Sequence, residues 1–202
     1  MANTIITIGR EFGSGGREFG RRLAEELGFE YYDKEIVEEI SKRTDLSEEY
    51  IQQIIENKPH NLLPITVGKS FTYVDHHTLH QLQKVYGEQM QVIRDMAEKS
   101  NCVIVGRCAS YILKDQKPFR IFVHADMDSR VRRCMEHMDG SEGFTAKQMK
   151  RHIKQVDKAR AKYFHFYTER KWGDRSNYDL CVNTTDVVIK DIVPVIAKLF
   201  KN

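Results

Sequence analysis

Apolar residues along this chain follow two rhythms. Short β-branched or apolar runs at residues 4–9 (TIITIG), 102–105 (CVIV), 119–125 (FRIFVHA) and 180–183 (LCVN) predict buried strands, and residues 29–32 (FEYY) predict one more. Between the runs, apolar positions recur every three or four residues. Phe19, Leu23 and Leu27 line one face of a helix expected over 18–27, which Gly28 is placed to stop. Ile36, Val37 and Ile40 mark the next helix, with Asp33 as a candidate cap. Ser47 opens a third, with Glu48 and Glu49 in its first turn and Ile51, Ile54 and Ile55 on its apolar face. Helical patterns continue over 70–99, with a possible interruption near Gly87, over 128–138, over the long charged stretch 145–170, where a break is open, and over 187–200. Pro194 inside the last of these requires a kink or an early-turn position. Residues 57–69 contain Pro59, Pro64 and Gly68, break both rhythms and predict an irregular insert or moving segment.

Short apolar strands alternating with helices predict an α/β fold, with a parallel sheet covered on both faces. Ligands of such folds bind at the carboxyl ends of strands. The glycine-rich stretch after the first strand, Arg107 after CVIV, and Asp126 and Asp128 after the third long strand all fall there.

The chain of 202 residues suits one domain or one domain with a mobile insert, and its 41% hydrophobic and 30% charged residues are ordinary for a globular protein. No apolar run approaches the ~20 residues of a membrane helix, so no membrane partner is expected. The N-terminal residues read as a strand rather than a secretory signal, and Cys102, Cys108, Cys134 and Cys181 lack metal or disulfide spacing. These features predict a cytoplasmic protein with reduced thiols. A net charge of +3 is too mild to demand nucleic acid. His76 and His80 stand four apart in HHTLH, but no glutamate lies between them, and the bland reading as ordinary helix residues is preferred over a metal site.

The chemistry concentrates in Gly9-Arg10-Glu11-Phe12-Gly13-Ser14-Gly15-Gly16-Arg17-Glu18. A glycine-rich loop between strand and helix can turn backbone N–H groups toward one anion, and the helix N-terminus adds positive potential. The usual phosphate-loop pattern is G-x-x-x-x-G-K-[ST]. If Gly16 is its last glycine, Arg17 stands for the lysine, Glu18 for the hydroxyl residue and Glu11 for the first glycine. If Gly15 is, Gly16 takes the lysine's place and Arg17 follows. Neither register supplies the hydroxyl that normally holds Mg²⁺. Arg17 is the favoured stand-in, because a guanidinium binds phosphate oxygens in a bidentate way.

ITIGREFGSGGREFGRRLAEELGFEYYDKEIV resembles the start of the cytidylate kinase-like family, relatives of the nucleoside monophosphate kinases. The resemblance continues through NCVIVGRCASYIL, FRIFVHADMDSRVRRCMEHM and VDKARAKYF, and it is weakest over 45–90. It implies a single three-layer domain of the P-loop NTPase type over 1–202, with a helical substrate-side region near 45–100 and a lid-like segment near 140–172. It implies ATP and Mg²⁺ as cofactors and a small-molecule nucleotide as partner. By the same resemblance Gly13, Ser14, Gly15, Gly16, Arg17 and Glu18 would hold the donor phosphates, and Thr184 and Thr185 would touch the donor base. Asp33 would lie near the acceptor nucleotide and Arg107 on its phosphate. Arg130 and Arg133 would lead into the lid, and Asp157, Lys158 and Arg160 would belong to its charged segment.

Each assignment has a plainer competitor: a strand-end charge for Arg107, a helix cap for Asp33, Asp126 or Asp128, and a solvated helix face for Arg130, Arg133 and the basic run 147–162. Trp172 and its aromatic neighbours read as packing. The leading expectation is an ATP-dependent phosphotransferase acting on a nucleoside monophosphate, with CMP or dCMP as the family default. A nucleotide sensor that has lost efficient transfer is the alternative, motivated by the missing lysine and hydroxyl. A nucleic-acid module using residues 147–162 is weaker, because the overall charge is mixed. The sequence leaves the acceptor and the oligomeric state open.

Overall fold

A computed structural model describes residues 3–56, 76–137 and 143–201. The expected insert at 57–69 lies outside them, as do the side chains of His76, His77 and His80. Among the described residues, five parallel strands form one sheet: β1 (Ile5–Arg10), β2 (Glu30–Tyr32), β3 (Cys102–Val105), β4 (Phe119–His124) and β5 (Leu180–Asn183). Their spatial order is β2-β3-β1-β4-β5, so β1 sits in the middle between β3 and β4.

Alternation along the strands sends neighbours to opposite faces. Val103 and Val105 join Ile6, Ile8, Ile121 and Val123 beneath α1 (Gly16–Leu27) and α8 (Ile189–Ala197). Cys102 and Ile104 face the other layer, built from α2 (Glu35–Thr44), α3 (Glu48–Glu56), α4 (His76–Lys99), the short α5 (Ala109–Ile112) and part of α7 (Ala146–Thr168). The result is the expected three-layer fold. Every side chain of β3 is buried, which is why CVIV reads as a continuous apolar run. Each large core side chain contributes roughly 1.5–3 kcal/mol by leaving water.

Several local expectations need adjusting. The first helix begins at Gly16, not at residue 18, with Gly15 as its cap. α4 runs through Gly87, where the space around the residue is open and nothing forces a break. α7 is continuous, and it starts with a capping box in which Thr145 and Gln148 exchange hydrogen bonds. α6 spans Met127–Glu136, and Asp126 caps it by accepting from the Ser129 N–H at 2.7 Å. Asp33 does not cap α2. Lys34 occupies that position, and the buried Asp33 carboxylate is drawn instead to Arg17 and Arg10.

Candidate phosphate-binding site

The glycine loop joins the central strand to α1, so its position is set by the middle of the sheet. Gly13 and Gly15 adopt left-handed φ values of 76° and 75°. A Cβ on Gly13 would lie 2.7 Å from Cys134 Sγ, and one on Gly15 would lie 2.1 Å from Ile189 Cδ1, so side chains are excluded at both.

The loop is braced from the α6 side. Arg130 is 5% exposed; it donates from Nε to Phe12 O at 2.7 Å, pairs with Glu11 at 3.2 Å and also pairs with Asp157. Asp157 accepts in turn from the Phe12 N–H at 2.8 Å. Arg133 donates to Gly13 O at 2.8 Å and to Thr184 O at 3.1 Å. The Thr184 hydroxyl donates to Ser14 O at 2.7 Å. The carbonyls of Phe12, Gly13 and Ser14 thus all point at these braces. In a trans peptide the following N–H points the opposite way. The amides of Gly13 and Ser14 therefore face away from α6 and that of Gly15 away from Thr184, and the Ser14 amide closes a turn onto Glu11 O at 3.3 Å.

A cleft of about 720 Å³ opens beside this loop, between the ends of β1 and β3 and the middle of α7. Arg10, Arg17, Arg107, Lys158, Arg160 and Lys162 line it, and no aspartate or glutamate does among the described residues. Arg17 Nε stands 2.8 Å from Asp33 Oδ2, while Arg10 reaches Asp33 Oδ1 only at 3.8 Å. Burial and the neighbouring Arg160 guanidinium push the Arg10 pKa down to about 9, with Asp33 opposing and Arg107 and Arg17 adding to the fall. The Nε atoms of Arg10 and Arg107 are both buried without a hydrogen-bond partner. Arg107 also has a left-handed φ of 55°, between Gly106 at 77° and Cys108 at 54°. Strained backbone of this kind clusters at functional sites. Gln89 holds the turn by donating to Arg107 O at 3.1 Å and bonding the Tyr163 hydroxyl.

The residues singled out from the sequence therefore divide into two groups. Arg17, Arg107 and Arg160 converge at the cleft, and Asp33 pairs with Arg17. Arg130, Arg133, Asp157 and Thr184 act on the far side of the loop, as its frame. Thr185 accepts from the Asp126 N–H at 2.8 Å, and Glu18 pairs with Arg22 along α1. Arg10 was not among the candidates, and Lys162 entered only within the basic run 147–162. The strand pattern ends at Gly9, and no periodicity marks the next residue as more than a loop position. The four cysteines are free thiols, and burial pushes Cys102 and Cys108 up to about 12. Trp172 packs edge-on against Phe122 at 5.5 Å, as packing predicts. No described helix is long and apolar enough to cross a membrane.

The chain is similar over 99% of its length to an uncharacterized protein from Eubacterium ventriosum ATCC 27560, of which 99% is covered, at 31% identity and a TM-score of 0.72. Two shikimate kinases share the fold at lower identity. That from Bacteroides thetaiotaomicron is 14% identical, with 98% of this chain and 99% of that one covered and a TM-score of 0.59. That from Acinetobacter baumannii, in complex with shikimate, is 16% identical, with coverages of 100% and 94% and a TM-score of 0.52. No curated protein matches the chain. The profile of the cytidylate kinase-like family matches residues 5–186, and with a kinase-type fold and a phosphate-type loop in place the chain belongs to that family.

Proposed function

We propose that this protein is an ATP-dependent phosphotransferase whose acceptor is a nucleoside monophosphate, with CMP or dCMP as the first choice. The observation that carries the reading is the convergence of Arg10, Arg17, Arg107 and Arg160 on one cleft next to a glycine loop, with no lining carboxylate among the described residues. Phosphoryl transfer requires positioning, charge neutralisation and exclusion of water more than covalent chemistry. In this reading the loop from Gly13 to Gly16 holds the donor phosphates. Arg107, Arg17 and Asp33 hold the acceptor at the ends of β3 and β2. Lys158, Arg160 and Lys162 on α7 close over the transferring group. The Thr184 hydroxyl is used inside the loop frame, and that of Thr185 bonds Asp126 N–H and Asn183, so donor-base contacts by either would require these bonds to be exchanged. The work is cytoplasmic, where nucleotides are supplied and thiols stay reduced.

The cleft fits a polyphosphate: several cations line it, and the buried Nε atoms of Arg10 and Arg107 lack hydrogen-bond partners. The described side chains do not fit a protein-held Mg²⁺. Among them no three His, Cys, Asp or Glu residues cluster as ligands, and Glu11 and Asp157 are tied to Arg130. Mg²⁺ is commonly bound by one or two protein oxygens together with substrate phosphates.

The deciding measurement is ADP release from ATP and Mg²⁺ with CMP, dCMP, UMP, AMP and GMP offered in turn, and shikimate as a non-nucleotide control. Release that depends on a nucleoside monophosphate is expected. ATP binding without turnover on any acceptor would overturn the reading in favour of a sensor, the reading that the missing lysine and hydroxyl support.

A further inference from the structure

The helix start fixes the register of the loop. With Gly15 as cap, the pattern G-x-x-x-x-G-K-[ST] counted through it places its lysine at Gly16 and its first glycine at Arg10. The glycine and the cation have changed places. The two positions also touch. A Cβ on Gly16 would lie 2.4 Å from Arg10 Cβ, 3.0 Å from its Cγ and 3.4 Å from Val123 Cβ. The Cβ of Arg10 is fixed by the strand and cannot swing aside, so the arginine stem occupies the volume through which a side chain at 16 would leave the backbone.

The rest of the side chain runs from there to the end of β3. Its Nη1 lies 1.9 Å from where a Cβ of Gly106 would be, so a side chain at 106 would push the guanidinium out of this place. The head group reaches the edge of the cleft among Arg17, Arg107 and Arg160, with Asp33 at 3.8 Å as its paired carboxylate and its Nε buried without a partner. Arg17 is placed differently: it is half exposed and already 2.8 Å from Asp33. From this geometry we infer that Arg10 is the phosphate-binding cation that replaces the loop lysine, and that Gly16 is glycine to make room for it. The inference rests on the reading of this cleft as a nucleotide phosphate site.

The test is calorimetric titration of MgATP and of inorganic pyrophosphate into the intact protein and its variants. Arg10→Ala is expected to weaken both ligands at least about tenfold, the usual worth of one charge-assisted contact, and Arg10→Lys to restore part of the loss. Arg17→Ala is expected to weaken pyrophosphate less than Arg10→Ala does. Gly16→Lys alone should also bind poorly, because the lysine collides with the arginine stem. The double exchange Arg10→Gly with Gly16→Lys rebuilds the ordinary pattern and should bind more tightly than either single change. Unchanged binding by Arg10→Ala, or a double exchange no better than Gly16→Lys, overturns the inference. Thermal unfolding of each variant identifies any that has failed to fold, and if Arg10→Ala fails, the comparison of Gly16→Lys with the double exchange decides alone. Arg10-dependent pyrophosphate binding without turnover on any acceptor would overturn the kinase reading and leave this one standing. A wild type that binds neither ligand overturns both.

Discussion

Two sets of arginines flank the same loop, and they are built to opposite rules. On the α6 side, Arg130 has two carboxylates and a carbonyl, and Arg133 has two carbonyls. On the cleft side, Arg10 and Arg17 share the single carboxylate of Asp33, with Arg107 and Arg160 close enough to depress Arg10 further. The first set holds the loop in shape. The second accumulates positive charge where an anion would relieve it. What separates Arg130 and Arg133 from Arg10 and Arg107 is therefore the supply of partners around the guanidinium.

That contrast can be broken most directly at Arg130. Arg130→Ala leaves Glu11 and Asp157 without their buried cation, and is expected to cost about 3–5 kcal/mol in urea denaturation. A loss below about 1 kcal/mol would show that this side is not the frame. Arg107→Ala should behave in the opposite way. Pyrophosphate affinity should fall at least about tenfold, while stability moves by less than about 0.5 kcal/mol, since the buried Nε has no partner to lose. A large stability loss there would erase the distinction. Thr184→Val removes the hydroxyl from Ser14 O and His124 O, and should cost about 1 kcal/mol, visible as a lowered Tm.

Arg120 and Asp179 provide the control for pairing at the surface, away from both sets. Their guanidinium and carboxylate meet at 2.6 and 3.0 Å, and this holds the Asp179 carboxyl below its ordinary value. A carboxylate depressed in the folded chain stabilises it above the unfolded pKa, and that contribution disappears as pH falls through the folded value. Asp179→Asn should therefore cost at most about 1 kcal/mol at neutral pH, and the gap from wild type should close as pH falls below about 4.

Much of the fold was readable because burial dictates residue type. CVIV and ITIG are apolar on both faces since helices cover both faces of the sheet, and Phe19 and Leu23 mark the buried side of α1. The strand order was not readable, because a run of β-branched residues records that it is buried but not beside which strand. Arg17 could be proposed from the glycine-loop pattern, and Arg107 from its place at a strand end. Separating them from Arg130 required knowing that Asp157 and Glu11, both distant in sequence, meet that guanidinium. The cap reading of Asp33, the competitor to its substrate-side role, came from a local rule, and that rule failed because a nonlocal pair of arginines claims its carboxylate. Arg10 escaped notice because its importance depends on what Gly16 lacks.

The contact between positions 10 and 16 also constrains how this loop could have arisen. Arginine at 10 and lysine at 16 cannot be accommodated together, because the new Cβ would lie 2.4 Å from the arginine's own. A lineage moving between the two loop forms by single substitutions must therefore pass through an ancestor with glycine at both positions. That ancestor would have neither cation, and would have had to survive on whatever the rest of the cleft could hold.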